Sequence, residues 1–190
     1  MDLYAQIDQM VTAFQIKSGL RCVSSCGACC ATANVHVTIL EMLPVAHEIL
    51  KSGEVTVWLE RLTAQPESGR CILFCPDPPA EAAGHCGFYQ YRPALCRLFG
   101  FAAVRGRTGA KALSICKYIQ QTDPQNAATA ALLAEKAPCF VNYSTRIYAL
   151  DALLGTCLMP INDALHQAID RIGLRLSFSY GQALHDNTAA

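Results

Sequence analysis

The sequence RCVSSCGACC, residues 21–30, holds four thiols within nine positions, at Cys22, Cys26, Cys29 and Cys30. Spacings of two or three residues let consecutive sulfurs converge on one metal, and Gly27 permits the tight turn that a chelating loop needs. The backbone N–H groups of such a turn can donate hydrogen bonds to the sulfurs. Adjacent cysteines usually point apart, so we expect one of Cys29 and Cys30 to bridge to a second metal or to serve structure.

The chemistry of this cluster predicts a metal centre. Thiolates are soft ligands that select zinc, iron–sulfur clusters or monovalent copper over hard cations. The residues between these cysteines are mostly Ser, Gly and Ala, which offer little apolar surface for a core. Metal ligation is therefore favoured over the alternative that the four are free thiols packed in the interior.

Cysteines farther along the chain supply the remaining ligands that one or two metal sites need. We predict ligand roles for Cys71, Cys86, Cys96 and Cys116. Cys139 and Cys157 lie in a stretch that reads as helical, and we expect both to be ordinary buried thiols. His85 beside Cys86 is a lesser candidate for the site.

Two arginines, Arg92 and Arg97, flank Cys96. Their guanidinium groups would stabilise the negative charge of a thiolate-rich centre. Alternatively, they form ordinary ion pairs with surface carboxylates. The sequence leaves both roles open.

The composition excludes several classes of protein. The 190 residues include 15 basic and 15 acidic side chains, a formal net charge of zero, so we expect no nucleic-acid partner and no binding to anionic membranes. Charged residues make up 16% and hydrophobic residues 52%, which is too apolar for a disordered chain. A chain of this length can bury a core without disulfide bonds.

The cellular compartment of the protein determines whether its eleven cysteines form disulfide bonds or stay reduced. The N-terminal stretch has no basic region followed by an unbroken apolar segment, so we expect no secretory signal and a cytoplasmic protein. No apolar run is long enough for a transmembrane helix. Because cytosolic thiols stay reduced, a cysteine cluster there is more often a metal site than a disulfide framework.

Apolar periodicity predicts a mainly α fold with one small β-hairpin. An amphipathic helix should end near Gly19, and Thr38 is a suitable N-cap for a helix to about Leu50, in which Pro44 should cause a bend or mark the real start. Residues 65–84 should form a loop, and 101–105 with 111–115 a hairpin. Further helices are predicted at 54–64, 125–136, 142–154 and 161–172.

We therefore expect one compact helical domain over residues 1–190 whose cysteine-rich loops bind metal. The metal-binding region should span 22–116, and a C-terminal helical part should span 124–175.

The cysteines and their neighbours resemble the bacterial YkgJ-type cysteine-cluster family, which is described as zinc- or iron-chelating. The resemblance rests on CC at 29–30, CILF at 71–74 and CGFYxxRPxxCR at 86–97, and covers about residues 22–116. It implies ligand roles for Cys22, Cys26, Cys29, Cys30, Cys71, Cys86 and Cys96. Cys75 is an extra cysteine beside the family pattern, and LFGF at 98–101 stands where members often carry a proline. A related cysteine pattern occurs in the flagellin lysine methylase.

The spacing of the cysteines favours an iron–sulfur cluster over zinc. Zinc commonly uses paired CxxC-like knuckles, whereas iron–sulfur clusters accept irregular spacings with ligands from distant segments. Cys22-x3-Cys26-x2-Cys29 also has the spacing found in radical-SAM enzymes. This chain lacks their β/α alternation, and it has Ala28 where they favour an aromatic residue, so that assignment is not adopted.

Three functions remain open at this stage. The favoured one is an iron–sulfur protein for redox sensing, electron transfer or a cluster-dependent modification. The second is a structural zinc module that presents helices to an unidentified protein partner. The third is a metal-dependent enzyme, or a protein methylase by analogy with the flagellin enzyme, although no S-adenosylmethionine site is evident in the sequence.

Overall fold

Helices dominate the computed structural model, which describes residues 1–23, 26–32, 35–64, 69–78 and 80–186. Over this part of the chain, strands occur as three short antiparallel pairs. The mainly α class predicted from the sequence is therefore confirmed.

The elements follow one another without a β-α-β alternation in the described residues. The helices are α1 (Asp2–Ser18), α2 (Ile39–Ser52), α3 (Val55–Ala64), α4 (Ala94–Leu98), α5 (Lys117–Thr122), α6 (Pro124–Leu132), α7 (Phe140–Leu150) and α8 (Ile161–Asp186). The strand pairs are β1 (His36–Val37) with β6 (Met159–Pro160), β2 (Phe74–Asp77) with β3 (Ala80–Cys86), and β4 (Ala103–Arg105) with β5 (Lys111–Leu113). Among the helices described, none has the length and apolarity needed to cross a membrane.

Two predicted helix ends are confirmed by their capping geometry. Gly19 follows α1 with a φ of 73°, and its N–H donates to the carbonyl of Gln15 at 2.9 Å. Thr38 caps α2 through a capping box, in which its hydroxyl accepts from Glu41 N–H at 3.3 Å and the Glu41 carboxylate accepts from Thr38 N–H at 3.0 Å. Because α2 begins at Ile39, Pro44 lies inside this helix and does not mark its start.

The loop predicted for residues 65–84 is partly wrong. Strands β2 and β3 form a hairpin in which Phe74 pairs with Cys86. Pro76 lies in β2, which a two-stranded sheet tolerates because each strand leaves one edge unpaired. Residues 65–68 and 79, which also fall in the predicted loop, lie outside the described part of the chain.

The other elements match the predictions with shifted ends. The helix at 54–64 is confirmed as α3, and the hairpin at 101–105 and 111–115 as β4 with β5. The helix predicted at 142–154 ends earlier, at Leu150, because the Asp151 carboxylate accepts from the N–H groups of Leu153 and Leu154, both at 2.9 Å. The sequence analysis missed α5, and α8 continues well past residue 172.

Two apolar clusters form the interior. The first joins α2, α8 and the 71–74 segment, around fully buried residues such as Met42 and Leu165. The second joins α1, α4, α5, α6 and α7, around Phe14 and Leu98. The cysteine-rich segments lie between these clusters, because residues from both line the same cavity.

Candidate metal centre

A cavity of about 820 Å³ opens between the two apolar clusters. Leu73 and Ile161 line it from the first cluster, and Phe101 and Ile119 line it from the second. Eight cysteines line the same cavity: Cys22, Cys26, Cys29, Cys30, Cys71, Cys86, Cys96 and Cys116. These are the eight residues that the sequence analysis selected as ligands, and the fold brings them together from separate segments.

The three remaining cysteines differ in their surroundings. Cys75 is exposed on β2, and Cys139 is buried immediately before α7. Cys157 was expected to be buried, but it is exposed in the connection between α7 and β6.

The Gly27–Cys30 turn presents the first pair of thiols. The N–H of Cys30 donates to the carbonyl of Gly27 at 2.9 Å, and Gly27 has a φ of 57°. A Cβ atom at Gly27 would lie 2.4 Å from the ring of Phe74, so only glycine fits this approach. The turn therefore packs directly onto the β2–β3 hairpin, whose last residue is Cys86.

Backbone hydrogen bonds hold the Cys71 turn against the first one. The N–H of Cys71 donates to the carbonyl of Cys30 at 3.0 Å, and the carbonyl of Cys71 accepts from Phe74 N–H at 3.1 Å. The side chain of Asn162 in α8 accepts from Ile72 N–H at 3.0 Å. These bonds place the two cysteines side by side without any contribution from a metal.

Four thiols form a contact group that we call the inner quartet: Cys29, Cys30, Cys71 and Cys86. Cys30 is its hub, because its side chain hydrogen-bonds with those of the other three. These contacts, with burial, raise the pKa of Cys30 far above its usual value. The expectation that adjacent Cys29 and Cys30 point apart is wrong, since the tight turn directs both thiols into the same group.

The three partners of Cys30 have lowered pKa values. Hydrogen bonding with Cys30 lowers the pKa of Cys29 to about 6 and that of Cys86 to about 7, and it also lowers the pKa of Cys71. Burial opposes each of these changes. Hydrogen bonds from backbone N–H groups also lower these pKa values. At Cys29, the donors to the sulfur are the N–H groups of Cys29 and Cys30.

The sulfurs of Cys71 and Cys86 each accept from the backbone N–H two residues later, at Leu73 and Phe88. Charge-assisted bonds of this kind stabilise the thiolate form that metals bind. Sequence spacing suggested such donors only in general terms and did not identify these two residues.

Arg92 is the cation that faces the thiols. Its charge favours the thiolate forms of Cys29 and Cys86, and it opposes the burial that raises the pKa of Cys22 and Cys96. Its guanidinium group stacks 3.6 Å from the ring centroid of Tyr89 and donates to the Tyr89 carbonyl at 3.0 Å. The predicted electrostatic role therefore fits Arg92.

Arg97 has a different role. It forms an ion pair with Asp8 of α1, donates to the carbonyl of Arg92 at 2.8 Å and lies 4.4 Å from the ring centroid of Tyr4. The alternative role, pairing with a carboxylate, applies here, although Arg97 is buried rather than on the surface. Arg97 thus ties α1 to the segment that carries Arg92 and Cys96.

His85 also lines the cavity, but it has a partner of its own. Its Nδ1 atom lies 2.9 Å from the Asp77 carboxylate, across the β2–β3 hairpin. The His85 side chain is 61% exposed, so the pair lies at the mouth rather than among the buried thiols.

Comparison with known proteins identifies the family of this chain. Residues 21–139 match the sequence family CxxCxxCC, described as "Putative zinc- or iron-chelating domain". The chain belongs to the CxxCxxCC family. The resemblance stated from the residues is therefore confirmed. Searches of curated proteins and of solved structures gave no match.

The donor set of this CxxCxxCC domain suits the metals in the family description. Eight thiols are soft donors, as zinc and iron–sulfur clusters require. Among the described side chains, however, no three Cys, His, Asp or Glu residues already surround a common point as metal ligands do. The thiols of the inner quartet would have to lose protons to bind a metal.

Proposed function

We propose that the cavity binds an iron–sulfur centre and that the protein serves in redox sensing, electron transfer or a cluster-dependent modification. The observation that carries this proposal is the presence of eight thiols in one cavity of about 820 Å³. One tetrahedral zinc ion and one iron–sulfur cluster each use four ligands, so the number of thiols fits more than one centre of either kind. The irregular spacing of these cysteines, which come from distant segments, is what favours iron–sulfur over paired zinc knuckles.

The walls of the cavity supply what an iron–sulfur cluster needs from a protein. Such a cluster supplies one-electron chemistry when bound, and its reduction potential depends on hydrogen bonds to sulfur, on nearby charge and on exposure. Leu73 and Phe88 provide backbone N–H donors, and Arg92 provides a cation. Apolar side chains from both clusters line the cavity, and two of its thiols, Cys30 and Cys71, are buried.

A structural zinc site is the second candidate, and the inner quartet favours it. The sulfurs of a tetrahedral zinc site lie close to one another because each is only about 2.3 Å from the metal. The side-chain interactions of Cys30 with the three other thiols place four sulfurs in one group. A zinc ion in this quartet would hold the 27–30 turn, the 71–74 turn and the β2–β3 hairpin together.

The deciding experiment is anaerobic purification followed by a visible spectrum and by iron, sulfide and zinc analysis of the same sample. Iron and sulfide in equal amounts, with broad absorbance near about 400 nm, support the iron–sulfur proposal. A colourless protein with stoichiometric zinc supports the second candidate. A metal-free protein whose thiols all react with a thiol reagent contradicts both.

A matched pair of variants tests whether the metal binds in the cavity. Cys71→Ser removes a thiol of the inner quartet, and Cys157→Ser makes the same change at an exposed position outside the cavity. We expect Cys71→Ser to lose bound metal and thermal stability together, since metal binding is linked to folding. Cys157→Ser should retain both.

A further inference from the structure

The backbone holds Cys30 and Cys71 at a spacing that suits a covalent bond between them. The N–H of Cys71 donates to the carbonyl of Cys30 at 3.0 Å. Residues that are joined in this way in an antiparallel pair have Cα atoms about 5.5 Å apart. The two Cα atoms of a disulfide are usually about 4.4–6.8 Å apart. The backbone bond therefore keeps the two cysteines within the distance that a disulfide spans.

The side chains of Cys30 and Cys71 also face the same space. Both residues line the cavity, and both belong to the first apolar cluster. Cys30 is 9% exposed and Cys71 is 5% exposed, and their side chains interact with each other. The direction of the side chains therefore meets the second requirement of a disulfide, which is that the two Cβ atoms do not point apart.

The other neighbours of Cys30 in the inner quartet suit a disulfide less well. Cys29 is adjacent to it in sequence, and consecutive Cα atoms are about 3.8 Å apart, which is below the usual range for a disulfide. Cys86 pairs with Phe74 across the β2–β3 hairpin. Among the backbone bonds of the described residues, none joins Cys86 to Cys30. Cys71 is therefore the partner that the fold holds in place.

Hydrogen bonds that do not involve sulfur fix the backbone beside each cysteine. The N–H of Cys30 donates to the carbonyl of Gly27 at 2.9 Å. The N–H of Ile72, the residue after Cys71, donates to the side chain of Asn162 at 3.0 Å. These bonds persist whether the two sulfurs are thiols or a disulfide, so oxidation would leave the surrounding helices in place.

We propose that Cys30 and Cys71 form a reversible disulfide when a peroxide oxidises the metal-free protein, and that this disulfide blocks metal binding by the inner quartet. The bond consumes two of the four thiols of the quartet, whereas a tetrahedral zinc ion or a four-iron cluster needs four ligands. This inference rests on the metal binding in the proposed function, and it holds for either metal. It adds a peroxide as the regulator of the site.

One molecule of peroxide balances the oxidation. One sulfur attacks hydrogen peroxide as a thiolate, which breaks the O–O bond and gives a sulfenic acid and hydroxide. The other thiol attacks that sulfur, so the S–S bond forms, the S–O bond breaks and water leaves. The proton of the first thiol neutralises the hydroxide, so two thiols and one peroxide give one disulfide and two waters. Peroxide reaches the pair through the cavity, which exposed residues such as Cys22 and Tyr89 also line.

The test treats the metal-free protein, prepared by anaerobic chelation, with one equivalent of hydrogen peroxide and maps the product by mass spectrometry. Trypsin places Cys30 in the peptide 22–51 and makes Cys71 the first residue of the peptide 71–97. We expect fragmentation to show these peptides joined through Cys30 and Cys71, with the loss of two of the eleven thiols. A link through Cys86 in place of Cys71, or no link between the peptides, overturns the inference.

Metal uptake and melting are the second and third readouts. We expect the peroxide-treated protein to lose the uptake of zinc and of iron with sulfide at the inner quartet, and dithiothreitol to restore it. The melting temperature of the metal-free protein should rise by about 5–15 °C on oxidation, because the disulfide closes the loop that contains α2 and α3. Equal metal uptake by the oxidised and reduced proteins overturns the proposed block.

Variants separate this inference from the function on which it rests. Cys71→Ser should not form the link, and Cys157→Ser, at an exposed position outside the cavity, should form it as the wild type does. If Cys71→Ser fails to fold, Cys30→Ser removes the other half of the pair and decides the question. A reduced wild-type protein that binds neither metal contradicts the proposed function and the block, whereas the mapped link alone decides whether the disulfide forms.

Discussion

The backbone N–H of Cys71 donates to the carbonyl of Cys30 across 3.0 Å, which joins the loop after α1 to the turn before β2. This bond brings together two thiols that are distant in sequence. Both residues also belong to the first apolar cluster, with Met42 and Leu165. Hydrogen bonding and apolar packing therefore both hold these two thiols in place.

Metal removal should consequently leave the fold largely intact. Small metal-binding domains often unfold without their metal, because they have little other core. This chain has two apolar clusters built mostly from side chains other than cysteine, so we expect the far-ultraviolet circular dichroism spectrum to persist after anaerobic chelation. The melting temperature should fall, because bound metal stabilises only the folded state. A random-coil spectrum after chelation would show that the fold depends on its metal.

Replacement of Gly27 tests the contact between the first turn and the hairpin. A Cβ atom at this position would lie 2.4 Å from Phe74 and 3.0 Å from the carbonyl oxygen of Gly84. We expect Gly27→Ala to lower the free energy of unfolding by more than about 3 kcal/mol and to reduce the metal content.

Gly53→Ala is the control for this change. Gly53 also has a positive φ, 76°, but a Cβ atom there meets nothing within 4 Å. Gly53→Ala should lower the free energy of unfolding only by the left-handed backbone penalty, about 1–2 kcal/mol, and leave the metal content unchanged. Equal destabilisation of the two variants in denaturant titrations would show that the contact with Phe74 is unimportant.

The lowered pKa values predict which thiols of the metal-free protein react first. Since Cys29 and Cys86 have pKa values of about 6 and about 7, both are largely thiolate at pH 7.5. Alkylation by iodoacetamide, followed by mass spectrometry, should modify them faster than Cys22. Cys22 is more exposed, but burial of its sulfur and the nearby thiolates raise its pKa.

The pH dependence of alkylation has a definite sign. A thiol with a lowered folded pKa is ionised above that pKa, so modification of Cys29 and Cys86 should decline as pH falls through about 7 and about 6. The stability that these thiolates contribute is present above the ordinary cysteine pKa and is lost over the same fall in pH. Preferential alkylation of Cys22 at pH 6.5 would contradict the hydrogen-bonded quartet.

Much of the site was predictable because cysteine spacing is a specific pattern. The loop cluster identified four of the eight cysteines that the fold places around one cavity, and Cys71, Cys86, Cys96 and Cys116 were identified from the later segments. Their role as metal ligands remains a prediction. The contacts within the group were not predictable, since the position of Cys30 as hub depends on a bond between residues far apart in sequence.

The errors in the fold have physical causes as well. Pro76 and its neighbours resemble a loop, but they form one strand of a hairpin because a two-stranded sheet needs one bonded edge from each strand. Arg92 and Arg97 both form ion pairs with Asp8 of α1, and they differ because only Arg97 is buried against α1 while Arg92 also acts on the thiols. This difference follows from packing, and the local sequence does not contain it.

The positive charge of Arg92 should raise the reduction potential of the proposed centre. A cation beside the thiols stabilises the more negative, reduced form of a cluster. We expect Arg92→Gln to lower the reduction potential by on the order of 50 mV, close to a tenfold change in a one-electron equilibrium. Arg92→Lys keeps the positive charge and should recover most of this loss. An anaerobic redox titration that gives equal potentials for the wild type and Arg92→Gln would exclude the electrostatic role.

Glu41 positions the helix that carries Cys96. Its carboxylate accepts from the N–H of Ala94, the first residue of α4, at 3.2 Å, and also from the N–H and hydroxyl of Thr38, both at 3.0 Å. Glu41→Gln replaces an acceptor oxygen with an NH2 group that faces these donors. We expect the free energy of unfolding to fall by about 1–3 kcal/mol, because a buried donor loses its partner. Alkylation of the half-buried Cys96 should accelerate as α4 loosens.

Glu48→Gln, on the same helix, is the matched control. Glu48 pairs with Lys51 at the surface, so this variant should melt like the wild type and leave Cys96 protected. Comparison of denaturant midpoints and of Cys96 alkylation in the two variants separates a positioning role from a general effect of charge. If Glu41→Gln and Glu48→Gln behave alike, α4 is held by its apolar contacts with α1 and α7, and the Glu41 carboxylate serves only to cap α2.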